Sequence, residues 1–184
     1  MKTVSLTDRF LKMLMGVILL PCLGTALADS ATEYELGAKA YESEDLITAM
    51  NHLERAAESG HAKAMFLLGY IYDKAEENTL AMTYYRNAHA QGNAEAAMAI
   101  GTMYVSGDGV ERSLEKARGW FEEAAAAGDV LALETLALAY LNGDLGLQKD
   151  PERGRELLRR AANNGHLPAG ELLKSMDGDA AKSN

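Results

Sequence analysis

The chain has 184 residues, 48% of them apolar, with 3 prolines and a formal charge of −9. That length suits one domain, and the apolar share suffices for a packed core. The acidic balance excludes a binder of the nucleic-acid backbone, which needs a basic field. Few runs of β-branched residues leave little material for a sheet.

Residues 1–28 read as a cleaved signal peptide. Lys2, Arg9 and Lys12 give a basic start, an apolar run covers 13–23, and Ala26-Leu27-Ala28 is a small-x-small cleavage pattern. The run is too short for an anchor, which needs about 20 apolar residues. Pro21 stands before Cys22, where a lipoprotein signal has a small residue. Cleavage after Ala28 makes Asp29 the first mature residue and removes the lone cysteine. It also removes Lys2, Arg9, Lys12 and Asp8, taking the formal charge from −9 to −11. The mature chain then has no thiolate for a disulfide, a nucleophile or a metal.

From Asp29 onward the chain repeats itself. Ala49, Leu53, Ala56 and Gly60 recur as Ala81, Tyr85, Ala88 and Gly92, then as Ala117, Phe121, Ala124 and Gly128, and finally as Gly154, Leu158, Ala161 and Gly165. Offsets of four and three place the first three of each set on one helix face, and the glycine falls at a C-terminal cap. A partner helix precedes each set, marked by Leu36-Gly37, Leu68-Gly69, Ile100-Gly101 and Leu136-Ala137. The period of 32–37 residues predicts stacked helical hairpins, none able to bury its apolar face alone.

The first hairpin has a helix over Ala31–Glu42 and a second from Glu44-Asp45 to Ser59-Gly60. The second, His61–Gly92, turns tightly at Glu76-Glu77-Asn78. The third, Asn93–Gly128, has the longer loop Ser106-Gly107-Asp108-Gly109-Val110, whose valine should tuck under the hairpin, and Ser113 as helix cap. In the fourth, Asp129–Gly165, Asp150-Pro151 starts a helix with Arg153, Arg155, Arg159 and Arg160, a basic face for an acidic partner surface or, the preferred reading, a solvated face paired to Glu152 and Glu156. HLPAGELLKSM after Gly165 is half a unit and should cap the stack. Asp177–Asn184 reads as a disordered tail, leaving 29–176 as the repeat domain.

The stretch from Ala97 to Gly128, with IGTMYVSGDGV and then SLEKARGWFEEAAAAG, resembles the Sel1-like repeat family, relatives of the tetratricopeptide repeat. Ile100 stands for the family's leucine, Ser113 for its aspartate and Phe121 for its tyrosine. The fourth copy is looser, and the first two have tetratricopeptide spacing without the GxG loop. The resemblance covers about Glu33 to Leu173. It implies an all-α, right-handed α/α solenoid of about four hairpins plus a capping helix.

No sequence motif points to catalysis, to a metal or to a cofactor. His61 and His166 share a repeat position with Asn93 and Asp129, which suggests a turn or cap role, and His52 and His89 match no zinc spacing. The better candidate site is the inner face, lined in this family by the first helices. Carrying its positions over gives four rungs: Tyr34, Phe66, Met98 and Glu134; Lys63, Glu95 and Leu131; Tyr70, Thr102 and Leu138; Tyr41, Asp73, Val105 and Leu141. Of these, Leu131, Val105 and Leu141 complete the rungs without being site candidates. The large side chains suit an apolar anchor from a peptide or helix, or else are buried by curvature and neighbouring repeats. Trp120, Tyr84 and Phe121 read as core. The expected function is a periplasmic or secreted module that holds a segment of another envelope protein, with no nucleic acid, no stable membrane insertion and weak self-association at most. The resemblance also implies an alternative, because some relatives bind or weakly hydrolyse β-lactams: a binder of peptidoglycan fragments or β-lactams.

Overall fold

The computed structural model describes residues 29–182. The expected leader, with Cys22 and the Ala28–Asp29 junction, lies outside them. Every regular element among the described residues is an α-helix. The nine helices are α1 (29–42), α2 (Leu46–Glu58), α3 (Ala62–Lys74), α4 (Asn78–Ala90), α5 (Glu95–Ser106), α6 (Leu114–Ala126), α7 (Val130–Asn142), α8 (Pro151–Asn163) and α9 (Leu167–Lys182). α3 with α4, α5 with α6 and α7 with α8 form the tightest pairs, and each second helix then packs on the first helix of the next hairpin. Successive first helices barely touch, so grooves remain between them on one side of the stack. The fold is the all-α solenoid of hairpins with a trailing helix that the repeat implies.

The repeated small and large residues interlock. Leu53, Leu68, Ile100, Leu133 and Leu158 are fully buried, and each contributes about 1.5–3 kcal/mol relative to exposure. A Cβ on Gly69 would lie 2.6 Å from the Tyr85 ring, and one on Gly101 would lie 2.5 Å from Phe121. The small residue therefore makes room for the ring, which crosses the hairpin to fill it. In the fourth hairpin the small partner changes sides: a Cβ on Gly154 of α8 would lie 2.7 Å from Leu141 Cγ on α7. Leu141 is thus half-buried inside its own hairpin, away from the inner-face rung assigned to it.

Between hairpins, Gly60, Gly92, Gly128 and Gly165 all adopt positive φ, from 83° to 92°. This is the left-handed cap that glycine occupies without strain. In three of the four places the residue after the glycine then caps the next helix. His61 Nδ1 accepts from Ala64 N–H (3.2 Å), Asn93 from Ala96 N–H (2.9 Å) and Asp129 from Ala132 N–H (2.8 Å). That shared position is a capping position in three of its four copies, while in the fourth His166 directs Nε2 to Glu134. Ser113 and Asp150 cap α6 and α8 as expected. Asp45 caps α2, but Glu44 stands outside that helix at φ 62°.

Further features differ from the sequence reading. Leu36 is 45% exposed, unlike its buried counterpart Leu68, because no hairpin precedes it among the described residues. α1 begins at residue 29, two residues before Ala31. α9 continues to Lys182, so 177–182 is helical instead of a disordered tail. Once a helix is nucleated, each further residue adds a hydrogen bond, and the Ala-Ala-Lys stretch favours this. Trp120 and Tyr84 are only half-buried, whereas Phe121 is 2% exposed. Both second-helix rings instead meet partners on their flanks: Trp120 meets His89 edge-on at 5.0 Å, and Tyr84 stacks on Tyr72 at 5.3 Å.

Candidate inner-face groove

A depression runs across α3, α5 and the start of α7. Periodicity places Phe66, Tyr70 and Asp73 on one face of α3, and Glu95, Met98 and Thr102 on the matching face of α5. All six line one section of about 460 Å³. Met98 and Thr102 continue into a second section between α5 and α7, where they meet Val105, Leu138 and Leu145. Seven of the proposed residues therefore share one contiguous surface.

Its floor is apolar. Tyr70 is 36% exposed, Leu131 51% and Leu138 40%, large side chains that the repeat packing leaves uncovered. Phe66 leans on Tyr85, with ring centroids 5.6 Å apart, so its position is fixed from below. Tyr85 itself is buried, and burial followed by the nearby Asp73 carboxylate holds its hydroxyl protonated well above the usual phenol range.

Four candidates stand apart. Tyr34 stacks on the His61 ring at 4.6 Å, so one ring face is covered. Tyr41 meets Tyr70 edge-on at 6.3 Å but lines a separate depression with Leu46, Met50 and Tyr72. Glu134 is paired at 2.9 Å with Nε2 of His166, which stands in the turn between α8 and α9. Lys63 is exposed one turn before Phe66 and outside both sections.

Residues absent from the candidate set also line the groove. Asp108 comes from the α5–α6 loop, Asp129 from the cap of α7, and Tyr85 and Met103 from the core beneath. The repeat spacing signals the Tyr85 position only as core, and a loop residue such as Asp108 has no periodicity to reveal it. Asp129 is legible as a cap, and its second role emerges only from the packing.

Among the described residues no cluster of three or more His, Cys, Asp or Glu could hold a metal. His52 meets Glu33 at 2.7 Å, and His89 meets Glu123 at 3.1 Å, each in a helix-to-helix pair. Of the α8 arginines, Arg153 pairs with Glu156 and Arg155 with Glu152, as a solvated face would, but Arg155 Nε is buried without a hydrogen-bond partner and Arg160 donates to the Ala125 carbonyl of α6. No helix among the described residues is long and apolar enough to cross a membrane.

The model of the Sel1 repeat matches residues 25–61, 62–93, 94–129 and 131–166. The chain is 30% identical over 140 residues to the chitin synthase regulator SKT5 of Saccharomyces cerevisiae, across 72% of this chain and 20% of that protein. It is 32% identical over 94 residues to DAP3-binding cell death enhancer 1 of Rattus norvegicus, across 50% and 18%. The chain thus spans about a fifth of these curated relatives. Among solved structures, it superposes on a Sel1 repeat protein from Oxalobacter formigenes with TM-score 0.72 and 27% identity, covering 78% of this chain and 60% of the other. A protective antigen of uropathogenic Escherichia coli gives TM-score 0.72 and 27% identity, with 95% and 36% covered.

Proposed function

The chain belongs to the Sel1 repeat family, and from that premise we propose that it holds a segment of another envelope protein in the α3–α5–α7 groove. At the coarser level its features are those of a non-catalytic protein-interaction scaffold of the Sel1 and tetratricopeptide superfamily. The observation that carries the finer reading is the contiguous surface of Phe66, Tyr70, Met98 and Leu138, in which Tyr70 and Leu138 are exposed and Phe66 and Met98 are half-buried against the core. Apolar anchors seated in such a surface supply most of the affinity in protein interfaces. The names of two relatives point the same way, one a regulator of an enzyme and one a binder of another protein.

The expected leader places this activity in the periplasm, with 29–176 as the working domain. Its open, two-section form suits a peptide better than a peptidoglycan fragment or β-lactam, which would call for a closed pocket with convergent Ser, Lys and Glu groups. Replacing Phe66 and Met98 by glutamate should abolish recovery of envelope partners while leaving the helical circular dichroism unchanged. Recovery of the same partners by the folded double variant would exclude the groove. Mass spectrometry of the native protein should find Asp29 or a near neighbour at the N-terminus, and any distant start overturns the export assignment.

A further inference from the structure

The charge around the groove is one-sided. Asp73, Glu95, Asp108 and Asp129 border the first section, and Asp144 borders the second. Among the described residues no lysine, arginine or histidine lines either section. The nearest cations are otherwise placed. Lys74 Nζ lies 5.4 Å from the Tyr70 ring centroid and lines the separate depression with Tyr41. Arg112 Nε donates to the Val105 carbonyl at 2.8 Å, and Lys63 stands outside. Among the described residues Glu95 and Asp108 are exposed and make no ion pair within the chain.

An anchor seated on Phe66, Met98 and Leu131 would bring its flanking residues against this rim. Flanking carboxylates would meet like charges in a partly dehydrated setting, and flanking cations would meet unpaired ones. We propose that the occupant is a basic segment of a partner protein: one large aromatic or aliphatic side chain flanked on both sides by lysine or arginine. This rests on the groove reading above and adds to it the chemistry of the partner.

The test is a random twelve-residue peptide display selection against the folded protein, followed by fluorescence anisotropy with a selected peptide. The expected winners carry Lys or Arg around an apolar anchor. Their affinity should fall about tenfold between 50 and 500 mM NaCl. It should fall by about three- to tenfold in the double variant Glu95→Gln/Asp108→Asn, whose exposed positions leave the core untouched. Neutral or acidic winners that still need Met98 would overturn the charge assignment while keeping the groove as a peptide site. Winners indifferent to Phe66→Glu and Met98→Glu, or no winners at all, would overturn both. Concentration-dependent dimerisation abolished by Phe66→Glu would assign the groove to a second copy and also defeat the proposal.

Discussion

The first two hairpins and the last two solve the same problem differently. The early ones turn within 43–45 and 75–77, whereas the later ones use 107–113 and 143–150. In the tight turns glutamates take the left-handed conformation, Glu44 at φ 62° and Glu76 at φ 61°. In the long turns Gly107 and Gly143 take it, and the loop then folds back. Val110 packs against the core, and Gly109 lies so close to α4 that a Cβ there would sit 2.7 Å from the carbonyl carbon of Asn78. Those same loops bring Asp108 and Asp144 to the inner face. The helices thus supply a common core, and the extra loop residues make the later groove individual.

The contrast breaks most sharply at Gly109. Gly109→Val adds positive-φ strain to a backbone collision and should cost about 2–4 kcal/mol, read as a lower urea midpoint. Gly146 also has positive φ, but a Cβ there meets nothing within 4 Å. Gly146→Ala should cost only about 1 kcal/mol. Equal losses would mean that the third loop is not anchored on the second hairpin. Next comes Gly101→Ala, which pushes into the Phe121 ring and should cost about 1–3 kcal/mol by the same measurement.

Helix caps separate the halves more gently. Asp150 accepts from Arg153 N–H at 3.0 Å, whereas Glu77 makes no side-chain cap bond at the start of α4. Asp150→Ala should cost about 1 kcal/mol and Glu77→Ala close to nothing. Glu76→Gly should raise stability by about 0.5–1 kcal/mol by relieving the left-handed glutamate. A loss there would show that the tight turn depends on that side chain.

The smallest effect is a pH response at His61. Burial, and then Lys63, lower its pKa, with Glu35 opposing, and Tyr34 stacks on its ring. Its Nδ1 must stay unprotonated to cap α3. The contribution is therefore present above the unfolded value of about 6.5 and is lost as pH falls through the lower folded value. His61→Asn, which restores the residue type of Asn93, should flatten the fall in melting temperature between pH 7 and 5. An unchanged slope would remove His61 as its source.

Much of this was legible in the sequence because each repeat sign has one physical meaning. Glycine after Ala-x-x-x is a left-handed cap, and a small residue opposite an aromatic is a close helix crossing. The α3 and α5 groove residues came from carrying the family's inner-face positions onto these helices. Tyr34 and Glu134 lost part of their access to contacts that span repeats, with His61 and His166, and no single-helix pattern encodes those. Asp108 was hidden for a related reason: its place is set by a loop crossing to Asn78.

The displaced glycine of the fourth hairpin carries one more consequence. Pairing α5 with α8 would set Gly101 opposite Leu158 and Val105 opposite Gly154, underfilling both crossings, while pairing α7 with α6 would drive Leu141 towards Ala117. The repeats look alike in outline, yet their halves are not interchangeable parts. A shuffled gene would encode pieces that no longer mesh, so side-chain volume preserves the sequence order of the stack.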